Sequence, residues 1–148
     1  MDTPQDDGPD PYRLQRFVDA QRSTYGQALS ELRAGRKRSH WMWFIFPQIE
    51  GLGHSAMAQA YAISGLDEAR AYVRHPVLGP RLRACTQAVN AVNERGVDAI
   101  FGYPDDLKFH SSMTLFAATG EDAVFQQALD KYFKGAGDRA TLDRLGEH

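Results

Sequence analysis

From Leu14 to Leu32 the chain repeats one spacing. Leu14, Phe17, Val18, Gln21, Tyr25, Ala28, Leu29 and Leu32 recur in steps of three and four. Such steps place side chains on one face of an α-helix, whereas a half-buried strand would need strict alternation. Asp10 and Pro11 suit a helix start, and Gly35 suits a helix end. The stripe reads as one helix of about six turns, or as two with a break near Arg22-Ser23-Thr24.

The second half shows the same period between clear breaks. Ser55–Ile63 is Ala-rich and helical. Ser64 can cap a helix that carries Ala69, Tyr72 and Val73 and stops at His75-Pro76. Gly79-Pro80 opens a long helix with Leu82, Cys85, Val89 and Val92 on one face, closed by Gly96. Val97–Phe101 is a short helical turn. Pro104-Asp105-Asp106 is a strong helix start, since proline fits the first turn and acids favour the positive end of the dipole. Glu121–Lys134 is amphipathic, and Asp138–Leu145 is a last short helix. The expectation is an all-α fold with six to eight helices and short loops. At 148 residues the chain is long enough for one core without staples. Residues 1–10 hold four aspartates and no basic side chain, and read as a disordered acidic tail. Residues 11–148 then form a single helical domain.

Both tryptophans and two of the eight phenylalanines fall within six residues, Trp41, Trp43, Phe44 and Phe46. Aromatic enrichment suits a strand. The helical context, a Ser39 cap and Pro47 as terminator suit a helix, which is our reading. Just before the cluster lie Arg33, Arg36, Lys37 and Arg38. With 17 basic and 19 acidic residues in all, one basic patch does not make a general nucleic-acid binder, but it could hold a small anion.

Three places could carry chemistry. In the first, Arg36 and Lys37 would bind phosphate, Trp41 or Trp43 would stack a ring, and His40 stands where the chain turns apolar. The plainer reading makes the aromatics core and the basic residues a solvated helix end. In the second, Gln48 leads into Gly51-Leu52-Gly53, a loop whose backbone N–H groups could cradle an anion or which is an ordinary loop. In the third, Asp106 could act as a general base. Lys108 and Ser112 share a helix face there, while Ser111 and Thr114 lie on another side. Their hydroxyls could equally bond back to the preceding turn. Gln21, the polar break in the first stripe, either lines a cleft or ties helices together. One cysteine, Cys85, leaves no disulfide and no Cys-based zinc site. The five histidines show no metal-binding spacing, and no cofactor is implied. No apolar run approaches the roughly 18 residues that span a bilayer. The acidic, Pro-rich start does not fit a signal peptide, so a cytoplasmic location without membrane partners is expected.

Several of these motifs together resemble a known family. His40-Trp41-Met42-Trp43-Phe44-Ile45-Phe46-Pro47-Gln48, Gly51-Leu52-Gly53, His75-Pro76-Val77-Leu78-Gly79, Asp105-Asp106-Leu107-Lys108 and Ser111-Ser112-Met113-Thr114-Leu115-Phe116 look like the bacterial domain-of-unknown-function family 1810. Some members of that family carry the label calpastatin. The resemblance covers roughly residues 10–145. It implies a compact, mainly α-helical domain, similar to a mycobacterial member of known fold, and no mechanism.

Two functions remain in competition. One is the binding or processing of a small phosphorylated, nucleotide-like ligand of ADP-ribose type. Its catalytic candidates are Asp106, Lys108, His40 and Ser112. Its binding candidates are Arg36, Lys37, Trp41, Trp43, Gln48, Gln21, Ser111 and Thr114. The other is a non-catalytic helical interaction module. They separate on whether the 36–48 and 105–114 segments line one cavity.

Overall fold

The structure of the protein, a computed structural model, describes residues 9–146. Of the expected acidic tail only Pro9 and Asp10 are described; the rest lies outside the described residues. Ten helices occur among the described residues, more than the six to eight expected, and three of them are single turns. The order is α1 Gln15–Arg22, α2 Tyr25–Arg33, α3 Met42–Ile45, α4 Ala56–Ala60, α5 Leu66–Arg74, α6 Leu78–Asn90, α7 Val97–Phe101, α8 Asp105–Ala117, α9 Val124–Phe133 and α10 Arg139–Leu145. No described helix is long and apolar enough to cross a membrane.

The long first stripe is two helices, broken at Ser23-Thr24. Asp10 accepts hydrogen bonds from the backbone of Leu14 (2.8 Å) and Gln15 (3.0 Å), so it gathers the chain into α1 as a cap does. Ser64 does not cap α5. Its backbone N–H donates to Glu68, and Gly65 takes the capping position. Helix α6 begins earlier than expected, at Leu78. His75 causes this, because its Nδ1 accepts from the backbone N–H groups of Val77 and Leu78. Gly79 lets α5 and α6 meet: a Cβ there would lie 2.1 Å from the Val73 carbonyl oxygen.

Helix α8 is the centre. Phe109 and every residue from Ser111 to Phe116 are buried, the pattern of a helix covered on all sides. It packs on α5, α7, α9 and α10. Phe109 stacks on Phe101 (ring centroids 4.7 Å apart) and meets Phe46 edge-on at 5.0 Å. Each such fully buried phenylalanine stabilises the fold by about 2–3 kcal/mol. These rings hold the α3 segment onto α8, which fixes the site described next. Beyond α3 the chain is clamped by a two-residue bridge of Ile49 with Ile63. There Glu50 N–H donates to the Ile63 carbonyl (2.8 Å) and Ile63 N–H to the Gln48 carbonyl (2.9 Å). No named strand accompanies it among the described residues.

Candidate functional site

The aromatic segment is a single helical turn, because Pro47 cannot extend it and Ser39 is used elsewhere. Ser39 does not cap α3. Its N–H and hydroxyl both donate to the Glu31 carboxylate, joined there by Arg38 N–H (2.7 Å) and the Trp41 indole Nε1–H (2.9 Å). Burial alone would push the Glu31 carboxyl up, but hydrogen bonds from the Ser39 hydroxyl, Arg38 N–H, the Trp41 indole and Ser39 N–H outweigh it. They hold the group at about 2. Glu31 was not among the residues singled out from sequence. The available signal was its place three residues after Ala28, on the buried side of α2.

The 36–48 and 105–114 segments meet. Lys37 Nζ lies 2.8 Å from an Asp105 carboxylate oxygen, and the other Asp105 oxygen lies 3.6 Å from Lys108 Nζ. Lys37 also donates to the Ser39 carbonyl (2.6 Å) and sits 5.1 Å from the Trp41 ring centroid. Lys108 stands 5.7 Å from the Trp43 ring centroid. One cleft lies between these segments, lined by Trp43, Phe46 and Gln48, by Gly51 and Gly53, by Ala58 and Tyr61 from the far side, and by Lys108. Its empty space is about 340 Å³ counted out to the mouth, but the cavity itself is only about 10 Å³. That is roughly room for one water.

Of the residues singled out for chemistry, Trp43, Gln48 and Lys108 line this cleft. The others serve elsewhere. Lys37 is spent on Asp105, its side chain 8% exposed. Arg36 and His40 are exposed and stand apart from the cleft, so Arg36 and Lys37 form no joint phosphate seat. Trp41 is core, at 1% exposure. Gln21 ties helices together: its Nε2 donates to the Phe44 carbonyl (2.7 Å) and the Tyr72 hydroxyl (2.9 Å), and its Oε1 accepts from Arg81 (3.4 Å). Asp106 accepts from the N–H of Leu107 in the first turn of α8. Ser111 donates to Asp138, and Thr114 donates to the His110 carbonyl while accepting from the backbone N–H of Asp138. Asp138 in turn caps α10. Ser111 and Thr114 therefore fasten α10 to α8.

Ser112 is fully buried and its Oγ has no hydrogen-bond partner. An unpaired buried hydroxyl costs about 1–3 kcal/mol. Ser112→Ala is therefore expected to raise stability by about 1 kcal/mol, measured as a higher urea midpoint with an unchanged slope. A drop of similar size would mean that the hydroxyl is satisfied. Cys85 is buried and its thiol is pushed up to about 12 by burial, so it is no ready nucleophile. Among the described residues no group of three His, Cys, Asp or Glu side chains is placed to hold a metal ion.

Wider hollows exist. One is formed by Arg33, Ala84, Gln87, Ala88 and Val92 with a neighbour (about 280 Å³), and Arg33 and Gln87 are its polar side chains. Another surrounds Arg16 and Glu68 (about 240 Å³). There Arg16 is already engaged by the carbonyls of Tyr12, Ala60 and Ala62 and by Glu68.

The comparisons with known proteins follow the same outline. The family model described as a protein of unknown function (DUF1810) matches residues 11–145. The crystal structure of the conserved hypothetical protein Rv1873 from Mycobacterium tuberculosis is similar to this chain. It is 53% identical, with a TM-score of 0.91, over 94% of this chain and 100% of that one. No curated protein matches. A family model spanning nearly the whole described chain, joined to a solved relative of the same fold, shows that the chain belongs to the DUF1810 family.

Proposed function

We propose that the protein binds a small ligand through an acid group placed in the cleft between α3 and α8. One observation carries this: the ammonium of Lys108 stands over the Trp43 ring at the only lining position that bears a charge. The interior, with room for about one water, takes at most one oxygen of an acid group and excludes a whole nucleotide. A nucleotide-like ligand of ADP-ribose type would therefore leave its body at the mouth. Met57 and Leu107, next in sequence to the lining residues Ala58 and Lys108, are 38% and 53% exposed, and such a body would find apolar surface if it reached them. The lining holds no carboxylate, histidine, serine or cysteine, which favours binding over acid–base catalysis at this spot.

A thermal-shift screen tests the reading, because any ligand of the folded state raises the melting temperature. Nucleotides, ADP-ribose, inorganic phosphate and short carboxylates are the panel. At least one is expected to stabilise the wild type at millimolar concentration and not the Lys108→Met variant. No stabilisation by any of them overturns the reading.

A second reading, a non-catalytic interaction module, is favoured by Tyr103 and Leu107. These are large hydrophobic side chains, 82% and 53% exposed, Tyr103 two residues before α8 and Leu107 in its first turn. It expects self-association or partner binding that is lost in a Tyr103→Ser/Leu107→Ser double variant.

A further inference from the structure

Trp43 carries an unusual feature. Its indole Nε1 is buried and has no acceptor, although Trp43 lines the cleft. An indole nitrogen is a donor only, and buried donors in folded proteins nearly always find an acceptor. The other tryptophan shows the ordinary arrangement, with its Nε1–H on Glu31.

We propose that the acid group taken by the cleft is a carboxylate, one oxygen on the Trp43 Nε1–H and the other on the Lys108 ammonium. This rests on the small-ligand reading above and narrows it. Two observations favour a carboxylate over a phosphate. The first is charge. Lys37 and Lys108 share the single carboxylate of Asp105, which leaves one positive charge among these three groups. A monoanion balances that charge, whereas a phosphate monoester brings about −1.5 to −2 at neutral pH beside Asp105. The second is the number of donors. Lys108, 5.7 Å from the Trp43 ring centroid, and Trp43 border the same cleft and offer one charged and one neutral donor, one for each oxygen of a carboxylate. Gln48, with no hydrogen bond from its side-chain amide among the described residues, is the remaining side-chain amide donor in the lining. The nearby Arg144 does not add to this set. Its guanidinium packs on Gly51, close to where a Cβ would stand, and donates to the Gly51 carbonyl.

The two tryptophans make the test direct. A proton–nitrogen spectrum of the labelled protein shows two indole N–H signals, assigned by Trp43→Phe. Acetate, benzoate and inorganic phosphate are titrated separately. The carboxylates are expected to move the Trp43 signal downfield in a saturable way, with phosphate at least tenfold weaker. The Trp41 signal, held by Glu31, stays in place and reports that the fold is intact. Lys108→Met should weaken carboxylate binding at least tenfold while leaving the Trp41 signal unmoved. If phosphate moves the Trp43 signal more strongly than either carboxylate, the carboxylate assignment is overturned and the acid-binding reading stands. If no anion moves it, both fall.

Discussion

Replacing Glu31 with alanine is expected to cost about 3–5 kcal/mol of stability, a large share of what holds a small domain together. The carboxylate accepts from two backbone N–H groups, a serine hydroxyl and an indole N–H. Hydrogen bonds to a charged acceptor contribute about 1.5–3 kcal/mol each, and alanine would leave all four donors to be satisfied by water or not at all. Because Glu31 is 7% exposed, water reaches them poorly. Glu31→Gln keeps one acceptor oxygen and should cost less. Urea unfolding of the three proteins gives the order wild type, Gln, Ala; equal stability of wild type and Ala would refute the role of Glu31. The acid limb offers a second check. The folded-state value of about 2 lies below the ordinary 4.5. The stabilisation is therefore complete above pH 4.5 and is lost as pH falls towards 2. Its size is on the order of 2 kcal/mol, after allowance for solvent screening near the surface. Glu31→Gln should remove that part of the acid sensitivity.

Asp105→Ala should cost about 2–3 kcal/mol and loosen the cleft. Its carboxylate is what meets the buried Lys37 ammonium, and removing one partner of a buried pair strands the other charge. Lys37 would keep only the Ser39 carbonyl and the Trp41 ring. Lys37→Met alone should cost less, because it removes the buried charge, although Asp105 retains Lys108. The double variant Lys37→Met/Asp105→Leu should recover part of the loss. Chemical denaturation of the four proteins yields the coupling energy; additive losses would show that the pair does not act as a unit. The consequence for function follows from position. This pair joins the segment carrying Trp43 to the helix carrying Lys108. Losing it should broaden the Trp43 indole signal even where the protein stays folded.

Much of the backbone could be read from spacing alone. The Leu14–Leu32 stripe, Pro104 before α8 and Asp138 before α10 each act within a few residues, so local physics decides them. Ser39 and Ser64 show the limit. Both are residues that cap helices well, yet Glu31, eight residues back, captures one, and Glu68, four residues on, draws the backbone of the other; which partner wins is settled by how the chain packs. Helices α3 and α4 are shorter than the segments read as helical from sequence, for a similar reason. Helices of four or five residues are unstable alone and exist here because the core holds them.

The candidate site was legible only by residue type. Lys37 and Lys108 both stand beside tryptophans in the fold, and nothing in their local sequence says that one carboxylate, Asp105, meets both. Trp41 and Trp43 stand two positions apart in one short turn, which sends them in different directions. One indole reaches Glu31 and the other reaches the cleft. By itself, then, the sequence determined an all-helical chain with a basic-aromatic junction and a hydroxyl-rich central helix. The tertiary structure alone decided which charges were cancelled and which donor was left without an acceptor. Both depend on partners dozens of residues away, and burial, which makes an unpaired group matter, exists only once the chain has packed.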